Sequence, residues 1–83
     1  MIYHLRIEVR LKRGYSDPEG ETTARLLREL GYKVKQVSVS KFYTILLEAS
    51  SKGEAIEKGE EICKRLLANP TKDDYIIIVE EEK

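Results

Sequence analysis

The sequence is poor in the side chains from which active sites and disulfide frameworks are built. Its 83 residues hold one histidine, His4, one cysteine, Cys63, one phenylalanine and no tryptophan. A lone cysteine excludes an internal disulfide and fits a reducing compartment. One His and one Cys give no sequence support for a nucleophile–base pair, and no zinc-ligand spacing exists. Net charge is also missing: 15 basic and 15 acidic residues cancel, leaving no field to hold nucleic acid or an anionic membrane. Long apolar runs are absent. The opening Met1-Ile2-Tyr3-His4-Leu5-Arg6 alternates and soon meets charge, so neither a leader nor a membrane span is expected, and the protein reads as soluble and cytoplasmic. Gln36 and Asn69 are the only side-chain amides, and Met1 is the only methionine, whereas charged residues make up 36% of the chain. That bias leans towards a thermophilic habitat.

What is present is periodicity. Tyr3, Leu5, Ile7, Val9 and Leu11 alternate with His4, Arg6, Glu8 and Arg10, the pattern of a strand with one buried face. Lys12 to Ser16 breaks it. Asp17-Pro18 then reads as the N-cap and first position of a helix, with Ser16 and Glu19 offering a competing capping-box register. Ala24, Leu27 and Leu30 mark the apolar stripe of this helix, and Gly31 ends it. Two further strands are predicted over Val34–Val39 and Phe42–Ala49. Ser40-Lys41 between them is too short for anything but a hairpin turn or a kinked continuation. Ser50 to Gly53 leads into a second helix reaching about Ala68, with Ala55, Ile56, Gly59, Ile62, Cys63, Leu66 and Leu67 on its stripe. Asn69-Pro70 stops that helix, and Tyr75–Val79 is the last strand, trailed by Glu80 to Lys83. Gly14 and Gly20 flank Asp17-Pro18 without making a phosphate-cradling motif. The order βαββαβ predicts one small α+β domain of ferredoxin-like type, an antiparallel sheet with both helices on one face.

Two strands break the rule that the uncovered face of such a sheet is polar. On the last strand Ile76 and Ile78 point away from Tyr75, Ile77 and Val79. On the third, Phe42 and Leu46 point away from Tyr43, Ile45 and Leu47. Each large apolar side chain left in water forgoes about 1.5–3 kcal/mol. A domain of this size buries only about two-thirds of its unfolded surface and has little stability to give up. Phe42, Leu46, Ile76 and Ile78 are therefore candidate dimer-interface residues.

Catalysis finds no footing. His4 sits on the polar face of the first strand, Cys63 on an apolar helical stripe where a buried inert thiol is expected. The acidic residues of the second helix interleave with Lys and Arg, as on a solvated face. RNA-recognition modules share the strand order, but Lys41 to Leu46 lacks their glycines and splits its aromatics between two faces. An ACT-like small-molecule-binding regulatory dimer would use the same two-faced sheet.

Several blocks carry a family resemblance: Leu11-Lys12-Arg13-Gly14-Tyr15-Ser16-Asp17-Pro18-Glu19-Gly20, Leu27 to Tyr32, Val37 to Lys41, and Cys63-Lys64-Arg65-Leu66-Leu67-Ala68-Asn69-Pro70 with Asp74-Tyr75. In order and over nearly the whole chain, they resemble the PurS family, the small subunit of multisubunit phosphoribosylformylglycinamidine synthase. Ser40 stands where that family usually has glycine, and Thr71-Lys72-Asp73 replaces a more apolar stretch. The resemblance implies a dimeric, non-catalytic subunit of an enzyme of purine biosynthesis. That enzyme converts formylglycinamide ribonucleotide to the amidine with ATP and glutamine. The subunit would bridge a glutaminase and a large synthetase and support ammonia transfer. It also implies that this subunit binds no cofactor, ATP and magnesium being used elsewhere in the complex. The family-like turns mark Asp17, Pro18, Glu19, Gly20, Asn69, Pro70, Asp74 and Tyr75 as candidate partner-interface residues.

Overall fold

Alternation of apolar with charged residues makes a strand with one dry face. In the computed structural model, which describes residues 1–82, that strand is the centre of the sheet. β1 (Ile2–Leu11) is flanked by β2 (Lys41–Glu48) and β3 (Asp73–Glu81), both antiparallel to it, in the order β2-β1-β3. Its inward side chains Tyr3, Leu5, Ile7 and Val9 are at most 5% exposed. Tyr43, Ile45 and Leu47 of β2 and Tyr75, Ile77 and Val79 of β3 share that inner face and are only partly buried.

One helix covers this face. α2 (Lys52–Ile62) starts at Ser51, whose hydroxyl accepts from the Glu54 N–H, and it buries Ala55, Gly59 and, just past its end, Cys63. Gly59 admits the sheet closely: a Cβ there would stand 3.5–3.6 Å from Ile77 and Leu5. Residues Cys63–Leu67 continue as a π-helical stretch, closed by the Ala68 N–H donating to the Cys63 carbonyl at 2.9 Å. Ile56 and Leu66, expected on the buried stripe, are exposed, Leu66 at 81%. The helix rests on β1 and β3 along a face narrower than the sequence stripe suggests.

α1 (Pro18–Glu29) has the predicted ends. The Asp17 carboxylate caps its start. Gly31, at φ +99, closes a Schellman turn in which the Gly31 N–H reaches the Arg28 carbonyl and the Tyr32 N–H the Leu27 carbonyl. Its position is not as expected. α1 is not packed across the sheet as α2 is; it lies against residues 34–39, which are extended but belong to no sheet. The Arg28 side chain donates to the carbonyls of Val34 and Lys35, and Val39 N–H donates to Asp17. Of its stripe only Ala24 is buried, and Leu30 is 74% exposed.

The α+β class and the antiparallel sheet are as predicted, but the sheet has three strands instead of four and one covering helix instead of two. The reason lies at Ser40-Lys41. A two-residue hairpin there would need φ above zero, and the only positive φ angles among the described residues belong to Gly14 and Gly31. The chain therefore enters β2 at Lys41 without a tight reversal, and residues 34–39 pair with no strand. Residues 18–39 project as an arm, and the radius of gyration is 16.3 Å, against about 12 Å for a compact chain of this length.

Candidate partner interface

With α2 on the inner face, the outer face of the sheet lies open. Its central row is polar and largely paired: His4 Nε2 is 3.5 Å from Glu82, and Arg6 is 3.8 Å from Glu80. Ser40 donates to Glu8 at 2.8 Å. Apolar side chains flank this row. Phe42 and Ile76 stand on either side of Glu8, Leu46 beside His4 and Ile78 beside Arg6. Phe42, Leu46, Ile76 and Ile78 are 61%, 60%, 42% and 53% exposed, as the two-faced strands predicted.

The candidate turns meet at one end of the sheet, where β1 finishes and β3 begins. The Tyr15 hydroxyl donates to the Thr71 carbonyl at 3.1 Å, and the Lys12 N–H to the Lys72 carbonyl at 2.7 Å. Lys12 Nζ also pairs with the exposed Asp74 at 3.3 Å. Asn69 organises its own turn: its Oδ1 accepts from the Thr71 N–H, its carbonyl from the Asp73 N–H, and its N–H donates to the Asp73 carboxylate. Glu19, Asn69, Pro70 and Asp74 are exposed there.

Other members of the set are occupied structurally. Asp17 is a two-way clamp, its Oδ1 accepting from Gly20 N–H and its Oδ2 from Val39 N–H, each at 2.9 Å. These bonds, Val39 first, hold its carboxyl below the usual carboxylate range against an opposing effect of burial. Pro18 fills the first helical turn and Gly20 is buried. Tyr75 lies on the inner face with Ile77 and Val79, as the alternation of the last strand predicts, so it is not among the exposed turn residues, and its hydroxyl donates to Glu60 of α2. That hydrogen bond, with burial, pushes the phenol up to about 12.

The pairing of Tyr15 with Thr71 and of Lys12 with Lys72 was missed in the sequence, which offers no spacing signal for it. His4 and Cys63 stand on opposite sides of the sheet, and burial pushes the Cys63 thiol up. Among the described residues no three His, Cys, Asp or Glu side chains gather as a metal-ligating group, and no helix is long and apolar enough to cross a membrane. The surfaces left over, an apolar outer face and a knot of exposed turns, are suited to binding protein.

Comparison with known proteins points the same way. The family model PurS, described as phosphoribosylformylglycinamidine (FGAM) synthase, matches residues 4–81. The phosphoribosylformylglycinamidine synthase subunit PurS of Archaeoglobus fulgidus is 47% identical over 73 residues, 87% of this chain and 91% of the relative. PurS of Methanocaldococcus jannaschii, one of the subunits of formylglycinamide ribonucleotide amidotransferase, has a crystal structure similar to this one. Its TM-score is 0.87 at 39% identity, covering 98% of this chain and 99% of that one. A chain in the structure of PurLQS from Thermotoga maritima matches with a TM-score of 0.88 at 32% identity, covering 96% and 99%.

Proposed function

The chain belongs to the PurS family of phosphoribosylformylglycinamidine synthase subunits, and we propose that it joins a glutaminase to a large ATP-using synthetase within that enzyme and supports the passage of ammonia between them. The reaction is the conversion of formylglycinamide ribonucleotide to the amidine in purine biosynthesis, with glutamine as nitrogen donor. The observation that carries the reading is the match along residues 4–81 to a family with a member in PurLQS. His4 and Cys63 on opposite sides of the sheet fit a supporting role. In this reading the chain itself binds no cofactor, and ATP and magnesium belong to the synthetase.

The chain works as a homodimer or higher homo-oligomer in the cytoplasm, with Phe42, Leu46, Ile76 and Ile78 buried inside the assembly. Glu19, Asn69, Pro70 and Asp74 form the docking end for the larger subunits. Asp17, Pro18 and Gly20 shape that end from behind. Reconstitution with a glutaminase and a synthetase subunit tests this. The chain alone should hydrolyse neither glutamine nor ATP; adding it should restore glutamine-dependent synthesis, while synthesis from free ammonium needs it less. Glu19→Ala and Asn69→Ala should weaken both assembly and the glutamine-dependent rate. An assembly that forms and turns over glutamine equally well without the chain would refute the proposal.

A further inference from the structure

β3 pairs with β1 along one side and has no strand on the other. Its bonds to β1 show which backbone groups are left over. Glu82 N–H donates to the Ile2 carbonyl, and the Lys72 carbonyl accepts from Lys12 N–H, so the even-numbered residues face β1. Residues of an antiparallel pair alternate between bonding their neighbour and facing away from it. The N–H and carbonyl groups of Tyr75, Ile77, Val79 and Glu81 therefore point to the free edge, where the described residues offer them no partner. Edges of this kind are ordinarily blunted by a proline, a lysine, a bulge or short length. β3 uses none of these. It runs from Asp73 to Glu81 without proline or lysine, and its register with β1 is unbroken over that length. Its centre, Tyr75 to Val79, is apolar throughout. What the strand does carry is charge of one sign at both ends, Asp73 and Asp74 before the apolar centre and Glu80 and Glu81 after it. The cations that answer Asp74 and Glu80, Lys12 and Arg6, come from β1, on the side away from the free edge.

We propose that this edge takes an extended segment of a different polypeptide as an added strand, apolar in its centre and carrying lysine or arginine at both ends. Backbone hydrogen bonds to Tyr75, Ile77, Val79 and Glu81 hold the segment in place, as in other cases of strand addition. Its terminal cations meet the acidic pair at each end of β3. The same charges turn away a second copy of β3. Two β3 strands set antiparallel place Asp73 and Asp74 against Glu80 and Glu81, and two set parallel place acid against acid at both ends. Like charges directly opposite one another destabilise a sheet. On the outer face, alternate side chains of the incoming segment fall beside the half-exposed Ile76 and Ile78.

Two short capped peptides of alternating valine and threonine, one flanked by lysines and the other by glutamates, test the proposal on the full chain. Neither larger subunit is used, so the outcome is separate from that of the proposed assembly. The lysine-flanked peptide should bind and slow amide exchange at Tyr75, Ile77 and Val79 by on the order of tenfold or more. The glutamate-flanked peptide should not bind. Glu80→Lys with Glu81→Lys should weaken the first peptide by on the order of tenfold and admit the second. Val79→Pro removes an outward N–H without taking a bond from β1, and it should abolish binding in a chain that keeps its dispersed amide spectrum. Should that variant unfold, the charge reversal decides. The proposal is overturned if both peptides bind alike, if neither binds at millimolar concentration, or if binding leaves those amides exchanging freely. Slow exchange of the same amides in the chain alone also overturns it, because a second copy would then hold the edge.

Discussion

Replacing Gly20 with alanine should damage the arm, although the same change normally strengthens a helix. Gly20 lies in the first turn of α1, where alanine is favoured over glycine by about 1 kcal/mol. A Cβ at this position would stand 2.3 Å from the Val37 carbonyl oxygen and 2.7 Å from the Asp17 carboxylate. The first is backbone, and the second can move only by releasing the N–H groups of Gly20 and Val39. Overpacking of this kind costs about 1–3 kcal/mol, so after the helical gain the net loss should be as much as about 2 kcal/mol. Two other helical glycines supply the controls. Gly53→Ala meets only the Ser51 hydroxyl at 3.9 Å, and Gly59→Ala finds ordinary contacts at 3.5–3.6 Å. Both should hold or gain stability, by up to about 1 kcal/mol. Urea denaturation of the three variants at one fixed protein concentration reads the series, since oligomer stability depends on concentration. If Gly20→Ala were as stable as Gly53→Ala, α1 would not be seated against residues 34–39 as described.

The outer face, the clamp and the buried phenol give three further tests. Ile76→Glu with Ile78→Glu should dissociate the assembly in analytical ultracentrifugation, because carboxylates would be forced into an apolar contact; if the face is solvated in the assembly, the double variant will sediment like the parent. The lowered Asp17 carboxyl contributes stability above its unfolded value of 3.8 that fades as pH falls through the still lower folded value. Asp17→Asn should therefore flatten part of the acid limb of a stability–pH curve, and an unchanged limb would mean that the clamp is not made in solution. For Tyr75 the sign reverses: its folded value near 12 lies above the ordinary 10.0, so stability present below pH 10 is lost as pH rises towards 12. Tyr75→Phe should shallow that alkaline limb, leaving the smaller contribution of Tyr3, whose phenol burial also pushes up.

The sequence made the sheet legible wherever a residue's surroundings are set by its parity on a strand. Tyr3 to Val9, Tyr43 to Leu47 and Ile77 with Val79 all face the core as their alternation requires. Tyr75 belongs to the same parity and follows it inwards, in a strand that begins at Asp73, two residues before the expected start. The helix caps were legible for a similar reason, since Asp17, Ser51 and Gly31 act within one turn of themselves. The π-helical turn at Cys63–Leu67 had no local signal, and Leu66 left the buried stripe with it.

Ser40-Lys41 marks the limit of local reading. Periodicity assigns residues 34–39 to a strand and α1 to an amphipathic helix; the structure keeps the helix but forms no strand over residues 34–39, and α1 is not packed across the sheet. Whether the chain reverses at that point or runs through it depends on one backbone sign at two residues, which hydrophobic pattern does not encode. Neither Ser40 nor Lys41 favours a left-handed conformation, and neither adopts one. The fourth strand and the second packed helix expected from the sequence are therefore missing from the sheet of the single chain, whose core rests on three strands and one packed helix.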